Sequence, residues 1–168
     1  MKRTIAIMLT ALSFGMMAQT STVNMEDEKF VKEAVKANAK EVKLGQIAAS
    51  KGSTAEVRQL GQMMVDDHTK AGNEIKSLGE RKGIKFKEPD MDEEFKKCSD
   101  DLSKKTGKDF DKAYTEMMVK DHKKVISEFK KEKDSGKDSD IKSWASTTLP
   151  ALEHHLSMSE TAYKNAKM

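Results

Sequence analysis

Four long stretches of the chain repeat apolar residues at the three-and-four spacing of a helix with one buried face. Phe30, Ala34, Ala37, Leu44 and Ala48 predict a first helix over residues 26–50, ended by Lys51 and Gly52. Ser53 followed by Glu56 has the form of a capping box, and opens a second helix with Val57, Leu60, Met64, Ala71, Ile75 and Leu78 inward, stopping near Gly83. A third, over 109–133, buries Phe110, Tyr114, Met117, Met118, Val125 and Phe129; Ser135 and Gly136 make the turn after it. The fourth starts near Asp138 or Ser139 with Ile141, Trp144, Ala145, Leu152, Leu156 and Tyr163 on one face. Pro150 removes a backbone bond and disfavours helical geometry at Leu149, so a kink or brief break is expected there. Residues 84–108 hold Pro89, the acids Asp90, Asp92, Glu93 and Glu94, then Phe95, Cys98 and Leu102, and read as a connection with one short helix. The sum is an all-α chain, a ferritin-like four-helix bundle over 26–167 with a short extra helix in the crossover.

The ends change the picture. Lys2 and Arg3, an apolar run from Ile5 to Ala18, and polar residues to Asn24 have the layout of a secretory signal peptide over 1–18, with the cleavage point open by a few residues. The run is about 14 residues against the roughly 20 of a membrane span, so an exported protein, periplasmic or secreted, without a spanning helix after cleavage is expected. The formal charge of +3 drops to +1 without Lys2 and Arg3, and Lys alternates with Asp and Glu along the helices. That surface makes no case for nucleic acid. The single cysteine, Cys98, has no partner in the chain and no activating basic neighbours, and reads as a spare buried thiol. Oligomeric state is not encoded in these patterns.

Inside the second and third helices one phrase occurs twice. Met63, Met64, Val65, Asp67, His68, Lys70 and Glu74 return 54 positions later as Met117, Met118, Val119, Asp121, His122, Lys124 and Glu128, giving the look of two related hairpins. At about 100° per residue, Asp67 and His68 flank the apolar direction of their helix, and Asp121 and His122 do the same on theirs. Glu41 falls in the buried arc of the first helix and His155 on the flank of the fourth, whereas His154 points away. Counted from the turns, these residues lie within roughly 5 to 8 Å of one height.

Several such groups buried without partners would cost several kcal/mol each. A transition metal, whether zinc, copper, iron or manganese, would compensate them through imidazole and carboxylate ligands. Mutual Asp or Glu pairing with protonated histidine would do so with no function beyond fixing register. Met63, Met64, Met117 and Met118 offer thioethers suited to copper(I), but methionine at helical spacing is usually core filler.

The phrases FVKEAVKANAKEVKLGQIAASKG, LGQMMVDDHTKA, FDKAYTEMMVKDHKKVISEF and TLPALEHHLSMS resemble a bacterial exported family of unknown function, classed as ferritin-like and often labelled putative outer membrane protein. The resemblance runs from Phe30 to Ser159. It implies the ferritin-like bundle and recurrent residues that fall on Glu41, Asp67, His68, Asp121, His122 and His155, with His154 outside the motif; it implies no activity. Ferritin di-iron centres place Glu three residues before His on two helices. Here Val65 and Val119 stand there, which argues against a ferritin-type ferroxidase, and nothing in the chain has a barrel's short strands. The expectation is metal binding through some of these six residues in metal handling or envelope stress, with a metal-free interaction module and an oxidase as rivals.

Overall fold

The periodic stretches form four long helices, α1 (Met25–Lys51), α2 (Ala55–Arg81), α4 (Gly107–Ser135) and α5 (Ser139–Lys167), and the crossover carries the short α3 (Glu93–Ser103). The computed structural model describes residues 23–87 and 91–168; the expected signal peptide, with Pro89 and Asp90 of the crossover, lies outside the described residues. Four of the five helix starts carry a side-chain cap. Asn24, Asp92 and Asp138 cap α1, α3 and α5 by accepting hydrogen bonds from the backbone amides of Glu26, Phe95 and Ile141. After α2, Gly83 adopts φ +81°, and the amides of Gly83 and Ile84 bond to the carbonyls of Glu80 and Gly79. This is a Schellman stop, at a backbone conformation that favours glycine.

Two local expectations, at the α2 start and at Pro150, fail. Thr54, not Ser53, caps α2 by accepting from the Val57 amide. Ser53 is drawn instead to the buried carboxylate of Asp111, to which both its amide and its hydroxyl donate, and Glu56 accepts from the Asn165 side chain. A carboxylate already desolvated in the interior outcompetes a solvent-exposed capping box for these donors. Nor does Pro150 break α5, which is continuous through it. Pro150 and Ser146, four residues before it, are both exposed, so the Ser146 carbonyl that loses its helical donor faces water.

Two clasps fix the topology. Asp27, in the first turn of α1, accepts from the amides of Lys137 and Asp138 in the α4–α5 turn. Asp111, in the first turns of α4, accepts from Ser53 and Thr54 in the α1–α2 turn. The start of each hairpin therefore holds the turn of the other. It follows that α1 and α5 run one way and α2 and α4 the opposite way, with α3 on the path that carries the chain back along the bundle, as in ferritin-like folds. Beside the α4–α5 turn, Lys82 bridges Asp138 and Asp140.

In this arrangement α1 packs on α2 and α4, and α5 on the same two, so α2 and α4 are parallel and diagonally opposed. The 54-residue repeat links these diagonal helices rather than one hairpin with the other, which corrects the hairpin reading of the repeat. Because the two helices run in parallel, equivalent residues stand at equal depth. The buried positions agree: Val57, Leu60, Gly61, Met64 and His68 on α2 match Asp111, Tyr114, Thr115, Met118 and His122 on α4.

The apolar core is split in two. One cluster gathers Val31, Ile75, Ile126, Phe129, Ile141 and Trp144 toward the α4–α5 turn; the other gathers Leu44, Leu60, Met64, Phe110, Tyr114 and Met118 toward the α1–α2 turn. Met64 and Met118 are fully buried there among hydrocarbon, as core filler. Between the clusters lies a polar layer. Among the described residues no helix is long and apolar enough to cross a membrane.

Candidate metal centre

Each long helix sends one ionisable side chain into that layer. Glu41, His68, His122 and His155 are 9%, 7%, 2% and 2% exposed. His68 and His122 occupy equivalent sites of the repeat. Glu41 and His155 are equivalent as well, since the buried set Val31, Asn38, Glu41, Gly45 and Ala48 of α1 matches Ala145, Leu152, His155, Ser159 and Ala162 of α5. The layer is thus one acid and three imidazoles at four related positions.

The three rings form a triangle with centroid separations of 5.7, 5.1 and 5.4 Å, and one ligating nitrogen from each lies within 4.8 Å of the others. Each ring is oriented from outside. His68 Nδ1 donates to Asn38 Oδ1 at 2.9 Å, and the Asn38 amide is itself held by donation from Nδ2 to the Ala34 carbonyl at 2.8 Å. His122 Nδ1 donates to the Met118 carbonyl at 2.9 Å. His155 Nε2 donates to Asp67 Oδ2 at 2.8 Å. With one nitrogen of each ring engaged, His68 Nε2, His122 Nε2 and His155 Nδ1 remain buried and without a hydrogen-bond partner.

Burial, reinforced by the neighbouring histidines, lowers His68 to about 3 and His122 to about 4. His155 is also lowered by burial, with Asp67 acting in opposition. All three imidazoles are therefore neutral at pH 7, and their unpartnered nitrogens carry lone pairs. Glu41 Oε2 is buried and unpartnered too; burial, then the nearby Asp121 charge, raises this carboxyl to about 8.

The six residues singled out from sequence are distributed unevenly. His68, His122 and His155 meet, and Glu41 and Asp67 line the same cavity of about 50 Å³. Asp67 is half exposed and reaches the layer as the acceptor for His155. Asp121 is half-buried, its carboxyl raised by burial, and it acts on Glu41 rather than lining the cavity. His154 is exposed. Cys98 is half-buried, its Sγ 3.7 Å from Met117 Sδ, and burial followed by the charges of Asp121, Asp101 and Glu94 pushes the thiol up, away from the reactive thiolate. The residue missed in the sequence is Asn38. Its signal was present, an amide between Ala34 and Glu41 on the buried arc.

Comparison with known proteins adds fold and family. No curated protein matches the sequence. The crystal structure of a DUF305 fragment from Deinococcus radiodurans is similar, with a TM-score of 0.75 at 13% identity over 85% of this chain and 98% of that one. At that identity the likeness speaks for the helical architecture alone. The sequence itself matches the profile of a domain of unknown function, DUF4142, over residues 13–162, and with nearly its whole length covered the chain belongs to the DUF4142 family.

Proposed function

We propose that this is an exported bundle protein that binds a transition-metal ion between His68, His122 and His155, with Glu41 as a further donor, in metal handling or envelope stress rather than rapid turnover. The observation that carries this is the state of the rings: three neutral imidazoles, each fixed through one nitrogen by an oxygen outside the cluster and each presenting a bare, buried lone pair inside it. A ligating histidine normally donates its other N–H to a carboxylate or carbonyl, which sets the tautomer and strengthens the ligand. Without a cation, buried lone pairs face one another and each unsatisfied group costs about 1–3 kcal/mol. Three nitrogens and a carboxylate suit zinc, copper, iron or manganese. Glu41 would bind as the carboxylate, so uptake would release its proton.

The rival is a metal-free module with a salt-bridged layer. It requires protonated histidines facing carboxylates, whereas burial drives two of the imidazoles well below neutral pH and Asp67–His155 is the one histidine–carboxylate bond among the described residues. Elemental mass spectrometry of untagged protein purified without chelator tests the reading. About one ion per chain is expected. A content well below that, with no uptake of zinc, copper, iron or manganese on titration, would transfer the case to the metal-free module. Export rests on the character of residues 1–18, and N-terminal sequencing of protein from the cell envelope or medium would show whether they are removed.

A further inference from the structure

The cavity is larger than an ion needs, and its extra space has a consistent direction. Ala34 and Ala37 precede Glu41 on α1, Thr148 and Leu152 precede His155 on α5, Ala71 follows His68 on α2, and Val125 and Phe129 follow His122 on α4. Because α1 and α5 run opposite to α2 and α4, all these residues lie on the same side of the histidine layer, toward the α4–α5 turn. The layer is one end of a chamber and the Phe129 ring belongs to the other.

That chamber is poor in hydrogen-bonding groups. Its alanine, valine, leucine and phenylalanine walls offer none, and its two polar side chains beyond the layer are already engaged: Thr148 donates to the Trp144 carbonyl at 2.8 Å, and Asn38 accepts from His68 and donates to the Ala34 carbonyl. Water in a cavity needs two to four polar partners, and here the unpartnered ones, on Glu41, His68, His122 and His155, all stand at the layer end; space walled by hydrocarbon stays dry and takes xenon or small apolar molecules instead. The volume of about 50 Å³ covers the layer end and this apolar space together, so the room beyond the histidines suits a small solute of about two heavy atoms. Alanine at three of the wall positions leaves this space, where the larger side chains usual in a bundle core would close it. Exposed Asp67 and Ala151 form its rim, so a small solute has a path in.

The geometry points to a second ligand: the apolar chamber takes a small uncharged molecule of the dioxygen or nitric oxide type, which coordinates an ion held by His68, His122 and His155 from the side opposite the methionine-rich cluster. The coordination step rests on the proposed metal centre, whereas occupation of the chamber does not. An ion with three histidines and one carboxylate still has room for a fifth ligand if it is iron, copper or manganese, and the chamber adjoins that position while excluding charged competitors.

Two measurements test this separately. Crystals of the full chain pressurised with xenon are expected to show an atom between Ala71, Val125 and Phe129; an empty chamber overturns the inference whatever the metal does. Protein loaded with iron(II) is then titrated with nitric oxide and followed by the electron paramagnetic resonance signal of the iron–nitrosyl. Ala71→Leu, which fills the chamber, is expected to weaken nitric oxide binding at least tenfold while iron content per chain is retained. Val125→Phe serves the same purpose should Ala71→Leu not fold. Equal nitric oxide affinity in wild type and filled variant overturns the inference. Xenon in the chamber with no iron uptake overturns the coordination step and marks the metal centre as the failing part.

Discussion

Asp67 and Asp121 occupy equivalent places in a repeated phrase, on parallel helices at equal depth, yet their surroundings give them opposite electrostatic parts. The neighbour of Asp67 across the α2–α5 packing is His155, which donates to it at 2.8 Å. The matching neighbour of Asp121 across the α1–α4 packing is Glu41, the α1 counterpart of His155, and there an acid meets an acid. Asp121 accordingly helps hold Glu41 in its protonated form. A repeat fixes where side chains stand, whereas the partner helices decide what each copy does. The asymmetry would serve the proposed metal centre, since one Asp would strengthen His155 as a ligand and the other would keep the Glu41 carboxyl neutral until a cation bound.

The comparison breaks most visibly if the layer is not a ligand set at all. His122→Ala, which removes the α4 member of the repeat, is expected to abolish the rise in melting temperature produced by metal, an effect worth about 4 kcal/mol when the ion is at a thousand times its dissociation constant. His154→Ala, one position from His155 but exposed, is expected to retain it. Differential scanning fluorimetry with and without chelator reads both, and equal losses would place the ligands elsewhere.

A sharper test sets the two acids against each other. Asp67→Ala is expected to weaken metal affinity by about 10–100-fold, the usual cost of losing the acceptor behind a ligating histidine, as measured by competition with a chromogenic chelator. Asp121→Asn should leave affinity at pH 7 unchanged or tighten it, because Glu41 then gives up its proton more readily. Parallel losses in both variants would mean the two copies act alike.

Much of this arrangement was legible in the sequence. Four long amphipathic stretches and a crossover with one short helix could be read because burial of one face per helix leaves a periodic trace, and the inward direction of Glu41, His68, His122 and His155 follows from the same periodicity. What could not be read depends on partners brought from far along the chain. Asp27 and Asp111 look like ordinary first-turn acids, yet each is a buried clasp on a distant turn, and Asp111 displaced the capping box expected from Ser53 and Glu56. The Met118 carbonyl, which sets one ring tautomer, is a backbone group with no local signature, and Asn38, which sets another, shows in the sequence as a buried-arc amide whose partner, His68, lies on a different helix. Pro150 has one, but whether proline breaks a helix depends on whether the freed carbonyl faces water, a property of the packed bundle.

The acid and the imidazoles also separate in their response to pH. In metal-free protein Glu41 holds its proton up to about 8 when folded but releases it from 4.5 when unfolded, so its contribution to stability declines as pH rises through that window. His68 and His122 behave conversely: folded they stay neutral down to about 3 and 4, while the unfolded chain takes up protons from 6.5, so stability is lost as pH falls below 6.5. Between 4.5 and 6 His68 and His122 are balanced by Glu41 and by Glu132, which is raised to about 6; above 6 the two histidines outweigh Glu41 alone, and His155, also lowered, adds to their side. Stability should therefore peak near pH 6.5 and fall by roughly 2 kcal/mol by pH 8. In Glu41→Gln the alkaline fall is expected to vanish and the acid fall to persist. Urea midpoints in chelator at pH 5, 6.5 and 8.5 measure this, and an unchanged alkaline limb would acquit Glu41.

The smallest expected effect comes from another pair of equivalent positions, the crossings above the layer. In the first hairpin Gly45 and Gly61 bring α1 and α2 so close that a Cβ on Gly61 would lie 2.5 Å from the Ala49 nitrogen and 2.7 Å from the Gly45 oxygen. The second hairpin has Ser159 and Thr115 at the corresponding places, both fully buried. Thr115 Oγ1 donates to the Asp111 carbonyl at 2.7 Å, but Ser159 Oγ has no partner. A buried hydroxyl left unbonded costs about 1–3 kcal/mol, so Ser159→Ala should be neutral or stabilising by up to about 1 kcal/mol in urea unfolding. Gly61→Ala, which must push two backbones apart, should destabilise by about 1–3 kcal/mol. A clear loss of stability in Ser159→Ala would mean that this hydroxyl is bonded after all and that the two crossings are closer in character than their side chains suggest.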